Sequence, residues 1–98
     1  MQVLLIDDLR EIPGVTYVAR TFDDGIAALR DDGPWDLLLL DHDLGEEDPR
    51  HTGYNVLCWL EELAEYLPRR IELVTANPVG RGKMEVVIER MYEMQSRD

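Results

Sequence analysis

The sequence predicts an α/β fold in which a mostly parallel sheet of about four strands is covered by about three helices. Short apolar runs alternate with segments whose apolar residues recur at helical spacing, which gives the order β-β-α-β-α-β-α. Two runs, 3–6 and 37–40, are apolar at every position, which is typical of parallel strands buried on both faces. At 98 residues, the chain (1–98) is expected to form a single domain.

The first half of the chain is predicted to contain three strands and one helix. After the strand at 3–6, a weaker strand is expected at 16–20, where β-branched and aromatic residues occur. Residues 21–24 have the spacing of a capping box, with Asp in place of the usual Glu, so a helix should begin there. That helix should stop at Gly33-Pro34. Its predicted inward face comprises Ile26, Ala27 and Leu29.

The second half is predicted to contain two helices and one strand. A polar loop at 42–51 leads to a helix that begins near Thr52 and ends at Pro68. A strand follows at 71–75, and Asn77-Pro78 then looks like an N-cap before the last helix. The apolar stripes predicted for the two helices are Val56, Leu57, Leu60, Leu63, Ala64 and Leu67, and then Met84, Val87, Ile88 and Met91.

Composition excludes several classes of function. The formal net charge of −11 argues against binding to duplex DNA or to an anionic membrane, since both require clustered positive charge. The longest apolar run, 56–60, is too short to span a membrane, and the N-terminus lacks the basic region of a signal peptide. Cys58 is the sole cysteine, so no internal disulfide is expected and a cytoplasmic location is predicted.

Polar residues follow three of the predicted strands. Asp7-Asp8 follow the first, Asp41-His42-Asp43 the third and Thr75-Ala76-Asn77 the fourth. Ligands bind beyond the carboxyl ends of the strands in an open parallel sheet, so these groups converge if the strands are neighbours. Clustered carboxylates repel each other unless they share a cation or a proton, and oxygen-rich sites suit Mg²⁺. The alternative is an acidic rim that merely faces solvent.

His42 is the natural general acid or base of this predicted pocket, because imidazole exchanges protons near neutral pH. The alternative is a surface histidine in a loop. Asp43 could orient His42, but adjacent side chains rarely face each other, so we expect Asp43 to hold the loop.

Phosphate contacts are expected from a second group of residues. Arg10 could neutralise the acids or meet a phosphate, and a structural ion pair is an equal alternative. Asn77 is expected to cap the last helix, a role compatible with a phosphate contact at the helix N-terminus. Gly80 and Arg81 belong to a Gly-rich, basic segment at that helix start, where this acidic chain could hold an anion. The alternative there is a flexible helix entry.

Three segments resemble the signature strands of response-regulator receiver domains, namely VLLIDD, DLLLLD and IELVTA. The resemblance implies a truncated flavodoxin-like fold with strand order 2-1-3-4. It also implies that Asp7 and Asp8 hold Mg²⁺, that Asp41 accepts a phosphoryl group or binds the metal, and that Thr75 contacts the phosphoryl group. Two features depart from the pattern: residues 9–15 are too few for the usual first helix, and no fifth strand with its Lys-Pro is expected after the last helix.

Over nearly its whole length the chain also resembles a divergent branch, the cyclic-phosphate-processing receiver domains. The matching segments are IDDLR, LDHDLG, TGYNVLCWL and NPVG followed by Met84. This resemblance implies action on cyclic phosphate ends of nucleotides or RNA, with His42, Asp41 and Thr75 as catalytic residues. The family often carries a His-Ser pair before Asn-Pro, and here Val74 and Thr75 stand at those positions.

Two principal hypotheses follow. The first is a receiver-like domain that binds a cyclic phosphate in a Mg²⁺-containing acidic pocket, either as a phosphoesterase that hydrolyses it or, because Val74 replaces the family histidine, as a binder without turnover. The second is a non-catalytic or phospho-accepting receiver that signals through a protein partner or as a homodimer. A third hypothesis is a small accessory protein whose pocket is vestigial.

Overall fold

Four strands form one parallel sheet in the computed structural model, which describes residues 1–95. The strands are β1 (Val3–Ile6), β2 (Tyr17–Ala19), β3 (Leu37–Leu40) and β4 (Arg70–Leu73). Their order is β2-β1-β3-β4, as predicted, and every pairing is parallel. In this register Ile6 pairs with Leu40, and Leu40 pairs with Leu73. The carboxyl ends of β1, β3 and β4 therefore lie side by side at one edge of the sheet.

Three helices are found in the part of the chain that the structure describes, two as connections between strands and the third after β4, and their starts match the capping signals in the sequence. They are α1 (Phe22–Asp31), α2 (Gly53–Glu62) and α3 (Pro78–Gln95), with a short 3₁₀ turn at Ala64–Tyr66. Thr21 Oγ1 accepts a hydrogen bond from the Asp24 amide at 3.1 Å, and Asn77 Oδ1 accepts one from the Gly80 amide at 3.0 Å. Within residues 1–95, no helix has the length and hydropathy needed to cross a membrane.

The helices all pack on one face of the sheet. Alternate strand residues such as Leu4, Ile6 and Leu38 form the main core with buried side chains of α1, α2 and α3. The opposite face carries a smaller cluster of Val3, Leu5 and Leu39, against which Ile12, Val15, Val18, Leu37 and Val74 pack. The short segment 9–15 thus covers this second face without forming a helix. Burial on both faces explains why β1 and β3 are apolar at every position.

The chain leaves α2 earlier than the apolar spacing predicted. The helix ends at Glu62, and Leu63 and Ala64 are exposed instead of inward. Leu63 has φ −117° and ψ 65°, outside the helical region. Leu67 is extended, with φ −65° and ψ 124°, as the residue before a proline usually is. A helix could therefore not reach Pro68, and the 3₁₀ turn fills the gap.

Two smaller differences concern α1 and β4. In α1 the buried residues are Gly25, Ala28 and Leu29, whereas Ile26 and Ala27 are only half-buried. The strand β4 ends at Leu73, two residues before its predicted end at Thr75. Both differences move an element boundary or a helix face by a residue or two.

Gly53 is the residue through which α2 packs against the end of β3. A Cβ at this position would overlap the carbonyl oxygen of Asp41, the residue that follows β3. We expect Gly53→Ala to lower the free energy of unfolding by about 3 kcal/mol, since backbone must move to admit the methyl group. Gly82→Ala in α3 is the matched control, because a Cβ there meets nothing within 4 Å. It should raise stability by about 0.5–1 kcal/mol. Urea unfolding of both variants measures the difference, and equal effects would contradict the assigned contact.

Candidate functional site

Three polar side chains are buried where β1, β3 and β4 end. The exposed fractions are 1% for Asp7, 9% for Asp41 and 5% for Thr75. Each aspartate directly follows its strand and continues the parallel ladder: the Asp7 amide donates to Ala19 O at 3.1 Å, and the Asp41 amide to Ile6 O at 3.0 Å. Because their backbones are fixed in the sheet, the two carboxylates are held next to each other.

Asp7 is stabilised in its ionised form. Its Oδ1 accepts hydrogen bonds from the amides of Leu9 at 2.9 Å and Arg10 at 3.0 Å. Its Oδ2 accepts a charged hydrogen bond from Arg10 Nη1 at 2.7 Å. Burial opposes ionisation, but the two amides and the guanidinium outweigh it, so the Asp7 pKa lies below its ordinary value.

Asp41 shows the opposite balance. Burial and then the negative charge of Asp7 raise its pKa, although the His42 amide and the Thr75 side chain both hydrogen-bond to it. The His42 amide donates to Asp41 Oδ1 at 2.8 Å, whereas Arg10 Nη1 stands 3.6 Å from Oδ2. Arg10 therefore compensates Asp41 less completely than Asp7, and a further cation would relieve the repulsion between the two carboxylates.

Asp8 completes an acidic cluster that could hold a metal ion. Asp7, Asp8 and Asp41 each offer a carboxylate oxygen, and these atoms all lie within 4.8 Å of one another. Together with Leu9 and Arg10, they line an open cavity of about 300 Å³. A donor set made only of carboxylate oxygens fits a hard cation such as Mg²⁺. The predicted metal ligands are therefore brought together, and the donors present suit the predicted ion.

The loop at 42–51 is anchored beside this cluster. Gly45 has φ +69°, and a Cβ there would lie 2.6 Å from Asp8 Oδ2, so the loop backbone lies directly against Asp8. Farther along, Glu46 Oε2 accepts a hydrogen bond from the Phe22 amide at 2.9 Å. The His51 ring stacks on the Phe22 ring at 4.6 Å, and its Nδ1 lies 3.2 Å from Glu46 Oε1. His51 thus contacts α1 and its own loop.

His42 is held between the loop and α3. Its Nδ1 lies 3.0 Å from Asp43 Oδ1, and a Cβ at Gly80 would lie 2.7 Å from its Cδ2. The expectation that Asp43 only holds the loop is therefore incomplete, because its carboxylate also contacts the neighbouring imidazole. A glycine at position 80 allows the ring to pack against the first turn of α3.

The residues predicted to bind phosphate occupy three different places. Arg10 lies in the acidic cavity. Asn77 and Gly80 lie at the start of α3, where the Gly80 amide is already used by the Asn77 cap. Arg81 Nη2 donates to the carbonyls of Leu73 at 3.3 Å and Thr75 at 3.1 Å, so its guanidinium contacts the end of β4. Arg81 is absent from the residues that line the acidic cavity.

Arg20 is a residue that the sequence reasoning missed. Its Nη1 donates to the Asp7 carbonyl at 3.2 Å and to the Arg10 carbonyl at 2.7 Å. This side chain therefore fixes the turn that carries Asp7, Asp8 and Arg10. The available signal was its position directly after β2, at the same edge of the sheet as the acids.

Opposite stability effects are expected when the two buried carboxylates are neutralised in metal-free buffer. Asp41→Asn should raise the free energy of unfolding at pH 7 by about 1 kcal/mol, or the Tm by roughly 4–8 °C, because it removes the repulsion with Asp7. Asp7→Asn should lower the free energy by about 1–3 kcal/mol, since a charged hydrogen bond is lost. Thermal unfolding with a chelator present measures both.

The pH dependence of Asp41→Asn checks the cause. The pKa of Asp41 is raised in the folded chain. The penalty, which is the free energy of unfolding lost through the charge of Asp41, is therefore absent below the ordinary carboxyl pKa. The penalty grows as the pH rises from there through the raised pKa, so the stability gain of Asp41→Asn should shrink on acidification. A gain that stays constant with pH would contradict the electrostatic explanation.

Comparison with known proteins gives one match. The family model described as the cyclic-phosphate processing receiver domain matches residues 2–90, a range that contains all the side chains of the acidic cavity and of the α3 start. No curated protein and no solved structure shows significant similarity to the chain. The match covers most of the sequence and agrees with the parallel sheet order found here. The chain therefore belongs to the family of cyclic-phosphate processing receiver domains.

Proposed function

We propose that this chain binds the cyclic phosphate of a nucleotide or an RNA end in its acidic pocket and opens the ring by hydrolysis. The observation that carries the proposal is the convergence of Asp7, Asp8 and Asp41 beside Thr75 at one sheet edge. Membership of a family linked to cyclic-phosphate processing supports this class of ligand. We further propose that 1–98 acts as one domain in the cytoplasm.

The metal ligands in this proposal are Asp7, Asp8 and Asp41. Mg²⁺ bound there would polarise a phosphoryl oxygen and offset the charge of the phosphate. The carboxylates alone would repel a phosphate, so the acidic cluster is understandable as a binding site only together with a cation. Thr75 hydrogen-bonds to Asp41, which keeps this carboxylate oriented toward the cavity.

His42 is proposed as the general acid or base. Hydrolysis adds water to phosphorus and breaks one ester P–O bond, and the departing ribose oxygen takes up a proton. The Asp43 carboxylate contacts Nδ1 of His42, so Nε2 is the atom assigned to the proton transfer. Val74 packs against the apolar cluster of the second sheet face, and its side chain offers no acid or base. The proposed chemistry therefore depends on one imidazole.

The start of α3 is the proposed support for the phosphate. Asn77 and Gly80 lie where the positive end of the helix dipole favours an anion. Gly80 also contacts the His42 ring, which brings this helix start next to the proposed acid or base. Arg81 contributes positive charge at the adjoining end of β4, and Arg10 does so in the acidic cavity.

A second candidate function is phosphoryl acceptance by Asp41. It is favoured by the hydrogen bonds that Asp41 receives from the His42 amide and from Thr75, since a receiver also places a hydroxyl beside its acceptor. In that case the chain would act on a protein partner or as a homodimer. Mass spectrometry after incubation with acetyl phosphate and Mg²⁺ separates this function from hydrolysis. A phospho-accepting chain should gain the mass of a phosphoryl group in wild type but not in Asp41→Asn.

Phosphorus NMR tests the proposed hydrolysis. Wild type with Mg²⁺ should convert a 2′,3′-cyclic nucleotide to a monoester. His42→Gln should lower the rate by about 10²–10⁴-fold, because the amide cannot exchange the proton. The matched control is His51→Gln, which removes the second histidine of the same loop, one that stacks on Phe22. Equal losses in both variants, or none in His42→Gln, would contradict the role of His42.

Stabilisation by Mg²⁺ tests the metal site independently of turnover. At about 100 times its Kd, Mg²⁺ should raise the free energy of unfolding of wild type by about 2.7 kcal/mol. Asp41→Asn should lose most of this gain, because one of the three ligands becomes neutral. Asp31→Asn, an exposed residue paired with Arg30 on α1, has the same change in charge and should keep the gain. Thermal unfolding with and without Mg²⁺ measures this, and a gain retained by Asp41→Asn would exclude this site.

A further inference from the structure

Arg10 stands between Asp7 and Asp41, the two buried carboxylates among the three proposed metal ligands. One nitrogen, Nη1, lies 2.7 Å from Asp7 Oδ2 and 3.6 Å from Asp41 Oδ2. A Mg²⁺ ion bound to both oxygens requires bonds of about 2.0–2.1 Å. The ion and the guanidinium group would then compete for the same space between the carboxylates.

The two carboxylates divide their oxygens in the same way. Asp7 Oδ1 accepts the amides of Leu9 and Arg10, and Asp41 Oδ1 accepts the amide of His42. In both residues Oδ2 is the atom that faces the guanidinium of Arg10. The Oδ1 atoms thus hold the backbone turns, while the Oδ2 atoms can exchange one cation for another without disturbing those turns.

The Arg10 side chain is attached to a fixed backbone but is itself partly in solvent. Its amide donates to Asp7 Oδ1, and its carbonyl accepts from Arg20 Nη1 at 2.7 Å. The side chain is 40% exposed, so the guanidinium can swing outward without being buried elsewhere. After such a swing it stays tethered at the rim of the acidic cavity.

We propose that Arg10 is a tethered counter-ion that a divalent cation displaces from Asp7 and Asp41. The displaced guanidinium then contacts the phosphate of the ligand, which its planar pair of donors fits well. This inference rests on the proposed function, because it concerns the metal and phosphate of the same pocket. It assigns Arg10 two carboxylate partners in the cation-free chain and the phosphate in the liganded chain.

Two titrations of the full chain test this exchange. Isothermal titration calorimetry with MgCl₂ measures the cation affinity. Titration of a 2′,3′-cyclic nucleotide at saturating Mg²⁺ measures the phosphate affinity, with His42→Gln present in every chain compared so that hydrolysis does not compete with binding. In Arg10→Ala we expect Mg²⁺ to bind about tenfold more tightly, because a charged hydrogen bond no longer has to be broken. We expect the nucleotide to bind about tenfold more weakly, since a charge-assisted contact to the phosphate is lost.

Two further variants separate displacement from other effects. Arg69→Ala removes the same charge from an arginine that is 84% exposed and lies just before β4, at the opposite edge of the sheet. This control corrects for the general gain in cation affinity that follows when the net charge becomes more negative. Its affinities for Mg²⁺ and for the nucleotide should both stay within about twofold of wild type. Arg10→Lys keeps a cation in the cavity, so its Mg²⁺ affinity should remain near that of wild type.

Opposite changes in the two affinities of Arg10→Ala are the signature of the exchange. Mg²⁺ binding that is unchanged or weaker in folded Arg10→Ala would overturn the displacement, as would binding by neither protein. Binding by Arg10→Ala alone would support it strongly. An unchanged nucleotide affinity would overturn the transfer to phosphate. Absence of hydrolysis in wild type would contradict the proposed function and leave both binding results interpretable.

Discussion

The repulsion between two buried carboxylates, those of Asp7 and Asp41, is the constraint around which this molecule is arranged. The parallel register fixes them side by side, because each aspartate follows directly on a central strand. Burial then prevents water from screening their charges. The two carboxylates are stabilised to different degrees. The amides and the guanidinium around Asp7 keep it ionised, whereas the pKa of Asp41 is raised. The cavity is therefore poised to accept positive charge.

The core and the candidate site share one short segment. Residues 9–15 connect β1 to β2 without forming a helix, and Ile12 and Val15 cover the second sheet face. The same segment begins with Leu9 and Arg10, which line the acidic cavity. Packing of the apolar end holds the backbone from which the guanidinium projects. Substitutions that weaken packing on the second sheet face would therefore also affect the position of Arg10 in the acidic cavity.

The fold could be predicted from the sequence to the extent that local patterns determine it. Apolar runs such as Val3–Ile6 indicated parallel strands, and Thr21 and Asn77 marked helix starts, because these signals lie within a few residues. The predicted end of α2 was wrong, since the apolar spacing continued to Leu67, whereas the helix ends at Glu62 and Leu67 is extended before Pro68. Within the site, the acids could be located from strand ends. The hydrogen-bond and ion-pair partners of Arg10 and Arg20 could not be predicted, because they depend on the directions of side chains from different strands.

Electrostatics also orders the proposed binding events. The chain carries a net charge of −11, and the cavity that would receive the phosphate is lined by three carboxylates and one guanidinium. A phosphate that approaches this cavity without a divalent cation meets net repulsion. Once a divalent cation occupies the carboxylates, the local negative charge is neutralised and the guanidinium is released for the anion. On the proposed function, cation binding therefore precedes phosphate binding, and the acidity of the pocket makes its affinity for phosphate conditional on the metal.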